Sequence, residues 1–134
     1  MNILKLELTH FGKFHLKTIT FTSGLNIVYG KNEAGKSTIH AFVRSMLFGI
    51  HDTEEGNERY SHYLPWETPH DFCGRMWIKK DDKVYRIERN FLRPQPTVRV
   101  FDDETDESLQ PAKQHLRQIL SGLTETSYLN TICI

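Results

Sequence analysis

The chain has 134 residues, of which 38% are hydrophobic and 25% charged: one ordinary domain, with apolar residues enough for one core. Its 17 Lys+Arg balance 17 Asp+Glu, which excludes a polyelectrolyte tail and gives no whole-chain signal for nucleic acid. There is no apolar run of about 18 residues and no basic-then-apolar leader at Met1, so no membrane role is expected and the expected address is cytoplasmic.

The first elements read as strands. Ile3, Leu4, Leu6 and Leu8, then Phe14, Leu16, Ile19 and Phe21, form two apolar-rich runs around a turn at residues 9–13. Residues 25–29 are short, apolar and bounded by glycines, as a buried strand would be. The period then changes. Ile39, Phe42, Val43, Met46 and Leu47 fall on one face of a helix that begins near Lys36 and closes at Gly49. Residues 50–72 keep no period and carry Gly56, Pro65 and Pro69, which predicts a long loop with at most a short helical turn. Residues 74–80 and 83–90 predict a hairpin around Asp81 and Asp82, joined by a third strand at 97–101. Pro111 opens a helix whose face is Ala112, Leu116, Ile119 and Leu120, ending at Gly122. The apolar residues 129–134 predict a closing strand.

Between the strand at 25–29 and the first helix lies the sequence GKNEAGKST, which matches G-x-x-x-x-G-K-[ST] with Gly30, Gly35, Lys36 and Ser37. Glycines let the backbone curl so that the amides of Gly30, Lys31, Asn32, Glu33, Ala34 and Gly35 turn inward around phosphates. The helix behind them adds its positive end. Lys36 would reach the β- and γ-phosphates and neutralise charge during transfer. Ser37 would offer its hydroxyl to Mg²⁺, and Thr38 would bond an α-phosphate oxygen. A bare glycine turn would not require this spacing, lysine and hydroxyl together.

The chain resembles the N-terminal part of an ABC-type ATPase head of the SMC/SbcC class, and most closely the YhaN-like branch of AAA-type P-loop ATPases. The residues that carry the resemblance are Phe11-Gly12-Lys13-Phe14, Gly24-Leu25-Asn26, Asn32-Glu33-Ala34-Gly35-Lys36-Ser37-Thr38, and Ala41-Phe42 with Met46-Leu47-Phe48-Gly49. Arg59-Tyr60 and Tyr85-Arg86-Ile87-Glu88-Arg89 add to it. The resemblance implies an α/β P-loop NTPase fold with a mixed sheet and an antiparallel meander, residues 1–134 being the N-terminal portion of a longer head domain. It implies ATP and Mg²⁺ as cofactors, and ATP hydrolysis that engages a second head in a homodimer. DNA and a nuclease subunit are the implied partners, in DNA repair or chromosome-associated work. Lys13, in the first turn, and Arg59, in the long loop, become candidate nucleotide contacts. The Mg²⁺-binding Gln, signature motif and Walker B acids of such heads do not occur in the chain, so the fragment alone is expected to be inactive. A nucleotide-clamped binding module with little turnover, or another P-loop phosphotransferase, are the alternatives.

Several stretches compete with these assignments. Val98-Arg99-Val100-Phe101-Asp102-Asp103-Glu104 imitates a strand followed by Walker B acids, but Arg99 breaks the run and the acids continue to Glu107, as in a solvated turn. Arg75, Lys79, Lys80, Lys83, Arg86, Arg89 and Arg93, interleaved with Trp77 and Tyr85, could form a basic face that attracts DNA phosphates; a solvated outer sheet face is the competing reading. His51, His62 and His70 lie among acids without metal-ligand spacing, and Cys73 and Cys133 read as packing thiols.

Overall fold

The computed structural model describes residues 1–21 and 33–131, with side chains for 1–21 and 37–128. In chain order the elements are β1 (Asn2–Phe11), β2 (Phe14–Thr20), α1 (Glu33–Phe48), α2 (Glu54–Tyr63), β3 (Cys73–Lys80), β4 (Lys83–Asn90), β5 (Thr97–Asp102), β6 (Glu107–Ser108), α3 (Ala112–Leu120) and α4 (Glu125–Thr131). The strands form one sheet in the order β2-β1-β3-β4-β5-β6, and each neighbouring pair is antiparallel. The expected strand at 25–29, which would make the sheet mixed, lies outside the described residues.

Alternation along each strand separates two faces of different chemistry. Register aligns Leu6, Met76, Ile87 and Val100 in one row across four strands, and all four are fully buried. On this face Phe42, Val43, Met46 and Leu47 of α1 and Leu116 and Ile119 of α3 complete the core. Phe11 lies at its centre, edge-on to Phe42 at 5.1 Å and stacked on Tyr63 at 5.1 Å, with Phe72 and Phe91 beside it. Gly74 is the point of closest approach between sheet and helix: a Cβ there would strike the Phe42 ring, so the position demands glycine for space alone.

The opposite face carries two polar rows. One is Lys5, Trp77, Arg86 and Phe101; the other is Glu7, Arg75, Glu88 and Arg99. The first alternates cation and ring, with Lys5 Nζ 4.2 Å over Trp77 and the Arg86 guanidinium 4.4 Å over Phe101. The second alternates sign, with Arg75 2.8 Å from Glu7 and 4.0 Å from Glu88.

Two expectations are corrected. Residues 54–63, expected as loop, form the ten-residue helix α2. Its stability comes from its ends rather than from an apolar stripe: the Thr53 hydroxyl accepts from the Gly56 N–H at 2.9 Å, and Glu54 and Glu55 occupy the positive first turn. Residues 129–131, expected to begin a strand, belong to α4. Thr124 and Ser127 exchange hydrogen bonds at its start, the Thr124 hydroxyl accepting from the Ser127 N–H at 3.1 Å. That local capping, together with burial of Tyr128, selects a helix over an extended chain. Residues 132–134 lie outside the described residues.

Candidate phosphate-binding site

The motif residues divide at the edge of the described structure. Gly30, Lys31 and Asn32 lie outside it. Glu33, Ala34, Gly35 and Lys36 form the first turn of α1, which starts three residues ahead of the expected position. The first four N–H groups of a helix have no intrahelical partner, so α1 leaves these amides to partners outside the helix. Ser37 is exposed and Thr38 half-buried on the next turn.

The β1–β2 turn lies against this end of α1. Gly12 has φ +60°, the left-handed region, and a Cβ there would lie 3.6 Å from Thr38 Cγ2 and 3.4 Å from Tyr63 Cδ1. The Gly12 N–H donates to the Tyr63 carbonyl at 2.6 Å, tying the turn to the end of α2. Lys13 is the exposed residue beside it. The fold thus gathers the Gly12-Lys13 turn and Thr38, far from it in sequence, at one corner.

Arg59 is at the other end of α1. It is buried, and its Nη2 donates to the Gly49 carbonyl at 2.9 Å. Gly49 follows the last turn of α1, about 20 Å along the helix axis from Lys36 at 1.5 Å per residue. Arg89 joins it there, its Nε donating to the Met46 carbonyl at 2.7 Å. Two guanidinium groups therefore satisfy carbonyls that the helix leaves open and offset the negative end of its dipole. Burial lowers both guanidinium pKa values, that of Arg89 to about 10, which leaves Arg89 charged at neutral pH. For Arg59 the neighbouring Arg44 adds to the lowering, and Glu125 and Glu55 oppose it.

Arg44, on α1, is the hub of that end: its Nη1 donates to Glu55 of α2 at 2.7 Å and its Nε to Glu125 of α4 at 2.8 Å. Glu125 also lies 3.9 Å from Arg59. Residues in the sequence gave no hint of this grouping, because its members are separated by up to 81 positions and sit on no common motif.

Of the two readings of the hairpin cations, the basic face is largely neutralised. Arg86 is held by Glu88, Asp103 and Asp106, and Arg75 by Glu7. Lys80 Nζ donates to the carbonyls of Gln118 and Ile119 at the end of α3 and meets Ser121 Oγ. Arg93 lies over the Tyr60 ring and 3.4 Å from Asp52, while Arg89 caps α1. Lys79 and Lys83 are left exposed. The Walker B-like acids are also committed to structure: Asp102 Oδ1 accepts from the Glu104 N–H at 3.0 Å, and Asp103 Oδ1 from Trp77 Nε1 at 3.1 Å. Among the described residues no group of three or more His, Cys, Asp or Glu converges as a metal site, and no described helix is long and apolar enough to cross a membrane. Cys73 is half-buried and unpaired; Cys133 lies outside the described residues.

An antiparallel sheet with helices packed on one face, and a glycine-lysine-hydroxyl sequence leading into the first helix, make up a mixed α/β domain. A family model described as an AAA domain matches residues 1–134, and the chain belongs to that family. It is 41% identical over 56 residues, 41% of its length, to the uncharacterized protein YhaN of Bacillus subtilis (strain 168). Over 135 aligned residues, its whole length, it is 24% identical to the DNA double-strand break repair Rad50 ATPase of Thermococcus kodakarensis (strain ATCC BAA-918 / JCM 12380 / KOD1). These matches bear out the resemblance to the N-terminal region of SMC/SbcC-like ATPases. They span 6% of the length of YhaN and 15% of that of the Rad50 ATPase.

Proposed function

We propose that this chain is the ATP-binding lobe of an ATPase head. The observation that carries the reading is the run Gly30 to Thr38 leading into α1, a sixteen-residue helix whose far end is neutralised by Arg59 and Arg89. In this reading the amides of Gly30, Lys31, Asn32, Glu33, Ala34 and Gly35 surround the phosphates, and Lys36 lies on the β- and γ-phosphates. Thr38 bonds the α-phosphate. Ser37, exposed on the second turn, suits a hydroxyl ligand of Mg²⁺. Bound Mg²⁺ would supply charge neutralisation on the β- and γ-oxygens. Lys13, at the corner beside Thr38, reaches the nucleotide from the hairpin side. Arg59 acts at a distance in this scheme, by holding the C-terminal end of α1, rather than through the nucleotide itself.

Membership of the AAA family and similarity to a Rad50 ATPase support hydrolysis as the activity of the whole protein, with two heads closing over nucleotide in a homodimer. DNA, and a nuclease subunit, are the partners this reading entails. Within this lobe Asp102 and Asp103, the Walker B-like acids, are bonded into their own turn and to Trp77, which supports a lobe that binds without turnover and catalysis in the closed pair. A second reading, a nucleotide clamp with little turnover, draws support from the same committed acids.

The test is ATP binding with Mg²⁺, followed by backbone amide shifts and by calorimetry, in the chain and in Lys36→Ala. Shifts confined to residues 30–38 and the Gly12-Lys13 turn, lost in the variant, are expected. Equal binding by the variant, or shifts at residues 102–107 alone, would overturn the assignment. Lys36-dependent phosphate release from the whole protein separates the ATPase from the clamp.

A further inference from the structure

On the sheet edge next to the β1–β2 turn, two imidazoles converge. His10 and His15 are register partners on β1 and β2, with ring centroids 5.5 Å apart and rings inclined at 70°. Their Nδ1 atoms face each other at 3.3 Å. Two nitrogens so close cannot both carry protons comfortably; one must offer a lone pair to the other's N–H, or both must offer lone pairs to something between them. A tetrahedral cation with metal–nitrogen bonds of about 2.0–2.1 Å separates its ligand nitrogens by about 3.3 Å. On its other side His15 presents Nε2 to Glu67 Oε2 at 4.0 Å. At that separation the exposed carboxylate adds negative charge beside the pair rather than a hydrogen bond to the ring.

We infer that His10 and His15 are a chelating pair for a divalent transition cation of the zinc, nickel or copper class, bound through both Nδ1 atoms. The protein supplies two ligands and water the rest, since no larger group of His, Cys, Asp or Glu converges among the described residues. The site is therefore open and exchangeable rather than a closed structural centre. Imidazole nitrogen discriminates against Mg²⁺ and Ca²⁺, which prefer oxygen, so the pair is chemically distinct from the Mg²⁺ that accompanies a nucleotide. The bound cation bridges the two strands that lead into the Gly12-Lys13 turn. Because Gly12 is bonded to Tyr63 and approaches Thr38, the cation pins the corner of the fold that borders the first turns of α1.

The experiment is a Zn²⁺ titration of the nucleotide-free protein, followed by imidazole ring resonances in NMR, with Mg²⁺ as the control cation. Expected are one bound Zn²⁺, shifts at the rings of His10 and His15 but not at His51, His62 or His70, and no ring shifts with Mg²⁺. His10→Ala and His15→Ala should each weaken Zn²⁺ binding by about tenfold or more, and Glu67→Gln by less. Zn²⁺ should raise the thermal midpoint of the wild type and leave that of the His10→Ala/His15→Ala pair unchanged. Equal affinity in wild type and variants, or ring shifts centred on other histidines, would overturn the inference. The wild-type ring shifts decide the matter even where a variant folds poorly.

Discussion

Arg59 reaches from α2 to the carbonyl of Gly49, donating at 2.9 Å from inside the protein, and so fastens the second helix to the end of the first. A hydrogen bond from a buried cation to a helix-terminal carbonyl combines a charge-assisted bond with relief of the helix dipole. It carries a desolvation cost, visible in the lowered guanidinium pKa and in Nε and Nη1 atoms that have no hydrogen-bond partner.

Arg59→Met is accordingly expected to destabilise the fold by about 1–3 kcal/mol, the loss of a bond to a charged group less the relief of an imperfectly satisfied cation. Urea denaturation of wild type and variant measures it. Nucleotide affinity should fall only through this loosening of α1, since Arg59 is far from Lys36; an unchanged or raised midpoint would show that the bond contributes nothing.

Gly74→Ala should be harsher than its single added methyl suggests. The new Cβ would collide with the Phe42 ring, itself fully buried and edge-on to Phe11, and would press on the Glu7 carbonyl at 3.1 Å. No flexible group is present to retreat, so β3 and α1 must separate. A loss of about 1–3 kcal/mol or more is expected, and a pairing of Gly74→Ala with Phe42→Leu should recover part of it. Additive losses in the pair would mean that the strain lies elsewhere.

What could be read from the sequence follows from where each element gets its stability. α1 and the β3–β4 hairpin announce themselves because burial on one face imposes a period on the residues: Phe42, Val43, Met46 and Leu47 in the helix, Met76, Ile78 and Ile87 in the strands. α2 has no such stripe; its buried residues are Gly56 and Arg59, and Thr53 at its N-cap was the one local signal. α4 is too short for a period, and its apolar residues read equally well as strand. The proposed phosphate loop is read from its motif alone, since the chemistry proposed for it requires residues adjacent in sequence, and Gly30, Lys31 and Asn32 lie outside the described residues. The Arg59 and Arg89 caps were not legible, because a charged side chain in a loop or strand carries no mark of the carbonyl it will meet. The same limit made the hairpin cations look like one basic face, when register pairs Arg75 with Glu7 and packing turns Lys80 toward α3.

The thiol of Cys73 offers a pH test. Burial, and secondarily the charge of Asp71, raise its pKa above the ordinary thiol value. The folded state therefore holds this proton more tightly than the unfolded chain does. The associated stability is fully present below the unfolded thiol pKa and declines as pH rises through the folded one. Alkylation at Cys73, read by peptide mass mapping, should be slower than that of a small free thiol at pH 8 and should gain on it at higher pH. Labelling as fast as the free thiol would contradict the burial.

The last prediction concerns the link between α4 and α1. Arg44 donates to Glu125 and to Glu55 on two other helices, so three elements share one guanidinium. The hydrogen bond to Arg44, then its charge, lowers the Glu55 pKa. A carboxylate with a depressed folded pKa contributes stability above its unfolded value, and that contribution disappears as pH falls through the folded value. Because Glu55 is exposed, solvent screens the pair and its share is small. The Glu125 arm is better shielded, with side-chain exposures of 17% for Arg44 and 26% for Glu125. A double-mutant cycle of Arg44→Met and Glu125→Gln should therefore return a coupling of about 1 kcal/mol, larger than that of the cycle through Glu55→Gln. The second cycle should shrink further in 1 M salt, where the screening length is about 3 Å, while the first persists. If both cycles returned zero, the Arg44 pairs would not hold α4, and packing such as that of Tyr128 against Phe48 would have to do so.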